Sequence, residues 1–344
     1  MQQQQQDPRR EAVGKIRTVR SVVEEIGFEG QSLHSINDLT NEQIYRLFEL
    51  AEMLEPYNRS AVDLLRGNVM VTLFFQPSTR TRMSFETAMH RLGGAVVTEA
   101  NPMVSSSAAK EESLADMMRT VSKYANVIVL RHPNDEEARE GATYAESPVI
   151  NGGWGDWEHP TQALLDLYTL WRTQGRVEGA KVVIATPDMI HARTGHSMAY
   201  GLARLGAEVT LASREEYRTP EEVMDNIKKV DGANIREVFD LDQEGFQDLI
   251  SGVDLVYLPG SSAPKGAQAE EFKKMMDDYL VRQDTLDSVR EETGKTIRVT
   301  HTLPRRAEEM DLSIDNTPHQ QYFEAIAYSV AIRMALVTAI VAVR

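Results

Sequence analysis

One passage from strand to helix constrains the fold more than any other segment. Residues 69–75, Val69-Met70-Val71-Thr72-Leu73-Phe74-Phe75, carry no charge and are rich in β-branched and aromatic side chains. That is the composition of a strand buried on both faces of a parallel sheet. Downstream, Met83, Phe85, Ala88, Met89 and Leu92 recur at roughly helical spacing, and Gly93-Gly94 supplies a left-handed C-terminal cap. Between them, Ser78-Thr79-Arg80-Thr81-Arg82 straddles a helix N-terminus at the carboxyl end of a strand. Unsatisfied backbone N–H groups and the helix dipole favour an anion at such a place. Hydroxyls donate to its oxygens and a guanidinium grips it bidentately. The plainer alternative is that Ser78 and Thr79 only cap the helix while the arginines are solvated. Two arginines interleaved among three hydroxyls in one turn favour the anion site.

The remaining chain repeats this alternation, which predicts an α/β fold with doubly wound parallel sheets. Thr40 and Gln43 form a capping box ahead of a helix with Ile44, Leu47, Phe48, Ala51 and Leu54 on one face. Strands are expected at Ala95-Val96-Val97-Thr98 and Asn126-Val127-Ile128-Val129-Leu130, with a helix from Leu114 to Tyr124 between them. A second set follows at Lys181 to Thr186, Glu208 to Leu211, Asp254 to Leu258 and Ile297 to Thr300. The helix from about His159 to Trp171 lies between the sets and is expected to link two domains. A chain of 344 residues exceeds what one hydrophobic core usually supports.

A net charge of -15 argues against a nucleic-acid-binding surface, which needs clustered Lys and Arg, so a cationic ligand pocket must be local. The chain has no cysteine, which excludes disulfide and thiolate chemistry and fits a reducing, cytoplasmic setting. Met1 to Gln6, followed by Asp7-Pro8-Arg9-Arg10, lacks the apolar core of a signal peptide and reads as a flexible polar tail. The apolar run Ala325 to Val343 contains Arg333 near its middle, a cost of a few kcal/mol in a bilayer, so a buried helix is expected rather than a membrane span. Its start is expected at Thr317 as N-cap, with Pro318 at the first helical position and Gln320 three residues after the cap.

Polar residues recur at the carboxyl ends of the expected strands, where open α/β sheets bind ligands. Arg131-His132-Pro133 ends one strand and His301-Thr302-Leu303-Pro304-Arg305 another. Glu158-His159-Pro160-Thr161-Gln162 opens a helix, with His159 and Gln162 on one face. Each has a bland alternative, a capping histidine or a solvated arginine, but the shared topological position points to a ligand. No glycine-rich turn follows Thr186, where Pro187-Asp188-Met189-Ile190-His191 stands, and no Walker lysine loop exists. His191 and His196 are not at the spacing of a helical zinc pair, and neither metal nor cofactor is expected. An anion cradle with arginine, histidine and hydroxyl donors suits acyl-type transfer from a phosphate ester or anhydride.

Taken together, Ser78-Thr79-Arg80-Thr81-Arg82 with Ser84-Phe85-Glu86, Arg131-His132-Pro133, His159-Pro160-Thr161-Gln162 with Leu164-Leu165-Asp166, and His301-Thr302-Leu303-Pro304-Arg305 resemble the aspartate/ornithine carbamoyltransferases. The aspartate branch is the nearer, and the similarity runs from about Leu33 to the C-terminus. The resemblance implies a carbamoyl-phosphate domain at residues 31–165 plus 318–344, with a C-terminal helix returning to it. An amino-acid-binding domain would span 166–317, and a flexible extension 1–30. It further implies a homotrimer with active sites shared between subunits. By position, Ser78, Thr79, Arg80 and Thr81 would hold the phosphate. Arg131, His159 and Thr81 would polarise the carbonyl oxygen, and Gln162 with the Leu303 carbonyl would bind the amide. Ser106 and Lys110 would reach a neighbouring subunit's site, and Arg193 would take the amino acid's α-carboxylate.

The departures concern the acceptor. Aspartate-type enzymes follow the strand corresponding to Leu255-Val256-Tyr257-Leu258 with an arginine and, two residues later, a glutamine; here those positions are Gly260 and Ser262. Losing a charged bidentate contact costs a few kcal/mol in binding. Gln76 stands where the family commonly has glutamate, Thr302 replaces the first proline of His-Pro-Leu-Pro, and the ornithine-type cysteine motif is absent. Three readings follow: an aspartate carbamoyltransferase in pyrimidine biosynthesis whose side-chain carboxylate meets other cations such as Lys265, Arg305 or Arg306; a paralogue with a different amine acceptor; or a non-catalytic carbamoyl-phosphate-binding or assembly subunit. The intact first half-site favours catalysis, and motif similarity favours aspartate.

Overall fold

The apolar runs assemble into two all-parallel sheets in the computed structural model, which describes residues 17–105, 112–260 and 269–342. Helices α1 (Val19–Ile26) and α2 (Asn41–Leu54) precede the first sheet. Helix α2 opens on the expected capping box, Thr40 Oγ1 accepting from Gln43 N at 3.1 Å and Gln43 Oε1 accepting from Thr40 N at 2.8 Å. Then come β1 (Val69–Phe74), α3 (Thr79–Arg91), β2 (Ala95–Glu99), α4 (Leu114–Ser122), β3 (Val127–His132), α5 (Asp135–Ala142) and β4 (Val149–Trp154). These strands lie in the order β2-β1-β3-β4. Helix α6 (Pro160–Gln174) leads into β5 (Lys181–Ala185), α7 (Arg193–Arg204), β6 (Glu208–Ser213), α8 (Glu221–Lys228), β7 (Asn234–Phe239) and α9 (Gln243–Ser251). The chain closes with β8 (Leu255–Leu258), α10 (Ala269–Asp278), α11 (Gln283–Thr293), β9 (Arg298–His301) and α12 (Tyr322–Val341), giving a second sheet ordered β7-β6-β5-β8-β9.

Helix α3 ends as its glycines predict. Gly93 has φ +82, its N–H bonds to His90 O, and Gly94 N bonds to Met89 O, the paired bonds of a Schellman cap. Strands β4 and β7 are not among those read from the sequence. In β4, Val149-Ile150-Asn151-Gly152-Gly153-Trp154 lacks a β-branched run, yet every residue is buried. Asn151 is accommodated because its Nδ2 donates to His34 O at 2.8 Å and its Oδ1 accepts from Gly153 N at 2.7 Å. In β7 the pattern is half-exposed because the strand lies at the sheet's edge.

The expected start of the last helix at Thr317 is corrected to Tyr322. Thr317 ends a 3₁₀ turn, Leu312–Asn316, its hydroxyl donating to Ile314 O. Residues 318–321 instead run beside β9, with His319 O accepting from Val299 N and Gln321 N donating to Val299 O, so the edge strand takes the backbone groups a helix would need. Among the described residues α12 is the one helix long and apolar enough to cross a membrane. It packs on α2, α3 and α6 with Arg333 only 2% exposed, which is the placement of a core helix.

Candidate active site

In each sheet the chain reverses direction of winding at one point, between β1 and β3 in the first and between β5 and β8 in the second. Open α/β sheets bind ligands outside the carboxyl ends of the strands at such points. A cavity of about 590 Å³ receives both. Gln76 to Thr81 enter it after β1 and Arg131 from β3; Arg193 and Thr194 follow β5, and Pro259 and Gly260 follow β8. His159 and Gln162 reach it from the start of α6, and Thr302, Leu303 and Arg306 from beyond β9.

Ser78 is the N-cap of α3 in extended backbone, and its hydroxyl makes no capping bond. The capping role that competes with anion binding is therefore not the one its side chain adopts. Thr81 Oγ1 lies 3.3 Å from His159 Nε2, and both residues are buried. The Arg80 guanidinium donates to the Leu303 carbonyl, tying α3 to the loop beyond β9. Leu303 holds φ +60, a left-handed conformation uncommon for a branched side chain.

Positive charge is crowded in this cleft. Arg131 Nη1 donates to Gly152 O at 3.1 Å, while its buried Nε has no partner. Burial, with Arg193 and Arg80 nearby, pushes its guanidinium down to about 9. Burial likewise lowers Arg193, which donates to Gly155 O. His159 is held well below the ordinary histidine range by burial and by Arg131, Arg193 and Arg333, so the imidazole is neutral at neutral pH. A cluster of this kind is stabilised by an anion.

Behind His159 lies a buried anchor. Glu158 accepts from Ser35 Oγ at 2.5 Å, from Ile36 N at 3.2 Å and from Ser197 Oγ at 3.0 Å, while Ser197 Oγ accepts from His159 N at 2.9 Å. Burial raises the Glu158 carboxyl to about 7 against these donors. On the far side, His301 Nδ1 accepts from Leu303 N at 2.7 Å, so its proton sits on Nε2, which faces Glu309 Oε2 at 2.9 Å. This buried pair fixes the loop that presents the Leu303 carbonyl.

The structure thus brings Ser78, Thr79, Arg80, Thr81, Arg131, His159, Gln162, Leu303 and Arg193 into one cleft. Arg305 does not join them. Its guanidinium pairs with Asp315 and lies over the rings of Tyr322 and Phe323, whereas Arg306 lines the cavity. Ser106, Lys110, Ser262 and Lys265 lie outside the described residues. Asp156 and Thr194, which sequence reasoning did not single out, also line the cleft, as does His191, weighed from the sequence only as a zinc ligand. Asp156 becomes visible only once β4 is recognised, because it then stands just past the carboxyl end of a strand. Among the described residues no group of three or more His, Asp or Glu side chains is placed to hold a metal.

Residues 31–172 match the carbamoyl-P binding domain of aspartate/ornithine carbamoyltransferase, and residues 178–340 match the Asp/Orn binding domain. The chain belongs to the aspartate/ornithine carbamoyltransferase family. It is 81% identical over 324 residues to the ureidoglycine carbamoyltransferase of Rubrobacter xylanophilus, covering 94% of this chain and 96% of that one. It is 40% identical over 311 residues to the aspartate carbamoyltransferase catalytic subunit of Methanosarcina mazei, covering 90% and 96%. The fold matches Trypanosoma cruzi aspartate transcarbamoylase in complex with carbamoyl phosphate and aspartate, with a TM-score of 0.80 at 29% identity over 92% of this chain and 96% of that one. The chain is therefore a carbamoyltransferase, and its two parallel sheets are those of this family. Thr194 Oγ1 and Thr302 Oγ1 both donate to the Pro259 carbonyl, at 3.1 and 2.6 Å, and Gly260 follows with φ +79.

Proposed function

We propose that this carbamoyltransferase transfers the carbamoyl group of carbamoyl phosphate to the amine of ureidoglycine. The observation that carries the reading is the 81% identity across 94% of the chain to a ureidoglycine carbamoyltransferase, against 40% to an aspartate carbamoyltransferase. The acceptor loop supports it. Gly260 occupies a left-handed conformation, and a Cβ built there would meet Thr302 Oγ1 at 3.2 Å, so the position is unsuited to an arginine. Ureidoglycine carries its amine and a ureido group on one carbon beside the carboxylate. The ureido group is neutral and needs no cation, whereas the second carboxylate of aspartate does. Aspartate, which the motifs alone favour, gives way to this acceptor.

In this reading Ser78, Thr79, Arg80 and Thr81 hold the phosphate at the N-terminus of α3, and Arg193 holds the acceptor's carboxylate. The neutral amine attacks the carbonyl carbon, forming a C–N bond, and the C–O bond to phosphate breaks. The developing oxyanion is met by Arg131, Thr81 and His159. Thr161 Oγ1 lies 3.3 Å from His159 Nδ1 and can donate to it, leaving the imidazole proton on the nitrogen that faces Thr81. The proton shed by the amine leaves with the departing phosphate. Orientation and preorganised charge supply the catalysis. The product bears two ureido groups on one carbon. A homotrimer with shared sites, in which Ser106 and Lys110 serve the neighbour, fits the exposure of β2. That strand lies at the edge of its sheet with Val97 57% exposed, and Val104 just beyond it is 74% exposed, a surface that calls for cover.

Phosphate release from carbamoyl phosphate, measured with ureidoglycine, aspartate and ornithine in turn, tests the assignment. Release with ureidoglycine is expected. Release with aspartate alone would return the chain to the aspartate branch, and binding without release would make it a non-catalytic subunit.

A further inference from the structure

Gln162 is an amide in a cleft of arginines, and an amide recognises a ligand only if its orientation is fixed. Gln162 Nε2 donates to both oxygens of Asp166, one helical turn further along α6, at 3.1 Å each. A carboxylate only accepts, so this contact turns the amide nitrogen inward and leaves Oε1 facing the cleft as an acceptor. Asp166 is only 3% exposed and is itself held from two other elements. Tyr257 OH on β8 donates to its Oδ2 at 2.9 Å, and Arg333 on α12, buried with its Nε unpartnered, supplies positive charge nearby.

We infer that Asp166 is a positioning residue that makes the cleft select a carbamoyl group over an acetyl group, by fixing the Gln162 amide so that its oxygen can receive the N–H of a carbamoyl nitrogen. The inference rests on the reading that carbamoyl phosphate lies in this cleft with its amide toward Gln162. The discrimination is chemical rather than steric, because acetyl phosphate differs only in bearing CH3 where carbamoyl phosphate bears NH2. A methyl group offers no donor and leaves the buried-side acceptor unpaired. An asparagine at 166 presents an NH2 as well as an oxygen, so it no longer dictates which way Gln162 turns. Charge matters as well as shape. Burial lifts the Asp166 carboxyl to about 7 against the donors Gln162 and Tyr257 and the charge of Arg333, the groups that face it from α6, β8 and α12. Below that pH a protonated carboxyl becomes a donor, and the amide loses its fixed orientation.

The test is the ratio of affinities for carbamoyl phosphate and acetyl phosphate, measured by competition on the full-length enzyme, for wild type, Asp166→Asn and Tyr257→Phe. The wild type is expected to prefer carbamoyl phosphate, with the preference falling as pH drops through about 7. Asp166→Asn should lose about tenfold or more of that preference, with acetyl phosphate affinity unchanged and the pH dependence gone. Tyr257→Phe should lose a smaller part in the same direction and serves should Asp166→Asn fail to fold. A loss shared equally by both ligands, or an undiminished preference in both variants, overturns the role of Asp166. A wild type with no preference at any pH overturns instead the placement of carbamoyl phosphate on which it rests.

Discussion

Replacing Gly260 with alanine tests whether backbone conformation sets the acceptor half of the cleft. Gly260 has φ +79, and an L-residue forced into the left-handed region costs about 1–2 kcal/mol. The added Cβ also meets Thr302 Oγ1 at 3.2 Å, and that hydroxyl cannot retreat freely because it donates to Pro259 O at 2.6 Å. Disturbing that bond costs about 1 kcal/mol, so Gly260→Ala should destabilise by roughly 2–3 kcal/mol or rearrange the loop. Chemical denaturation of Gly260→Ala, Thr302→Ala and the double variant separates the two parts. The contact part disappears in the Thr302→Ala background while the conformational part persists, giving a coupling of about 1 kcal/mol. In parallel, KM for the acceptor should rise several-fold with KM for carbamoyl phosphate unchanged. Gly260→Arg, which restores the charge of aspartate-type enzymes, should gain no aspartate turnover. Additive, small effects in the cycle, or an arginine variant that is stable and carbamoylates aspartate, would refute the argument that the loop's conformation excludes that side chain.

Other expectations rest on the charged half of the cleft. Arg131→Ala and Arg80→Ala should each abolish turnover with the folded far-UV spectrum retained, and full activity in either would sink their assignment to the oxyanion and phosphate. His159→Ala should lower kcat about 10²–10³-fold. Because His159 is held neutral, any acid limb of the wild-type profile should survive in this variant, and its disappearance would show that the imidazole titrates. Glu158 has a folded pKa raised to about 7 from 4.5, so the folded state binds the extra proton between those values. Its contribution is therefore fully present below about 4.5 and is lost as pH rises through about 7. Asp166 acts with the same sign. Denaturation at pH 5 and pH 8 should show wild type losing stability with rising pH and Glu158→Gln losing less; identical slopes would contradict the buried-carboxyl account.

Much of the fold was legible because it follows from local chemistry. The uncharged run at 69–75 suits a strand buried on both faces of a parallel sheet, the capping box at Thr40 and Gln43 satisfies its own helix end, and Gly93-Gly94 permits the left-handed turn that closes α3. What escaped depended on partners distant in sequence. Strand β4 hides behind Asn151 and two glycines because its polar group is satisfied by His34 O, more than a hundred residues away. The start of α12 is delayed because β9 captures the backbone at Val299. Tertiary pairing overrode a good local capping signal in the second case and supplied the missing stabilisation in the first.

The cleft divides along the same line. The end proposed for the phosphate was legible as a motif because one turn of helix carries the hydroxyls, the guanidiniums and the dipole together, so spacing alone points to an anion. The end proposed for the acceptor is written in contacts between segments far apart in sequence. Thr194 stands in the first turn of α7 while Pro259 and Thr302 follow β8 and β9, and only the folded chain shows two hydroxyls converging on one carbonyl beside Gly260. Read as a sequence, the glycine is a lost arginine. In the structure it has φ +79 and a Cβ there would meet Thr302 Oγ1 at 3.2 Å, so the position that lacks the charge is also one ill suited to carry it. An acceptor with a neutral group beside its carboxylate is consistent with both.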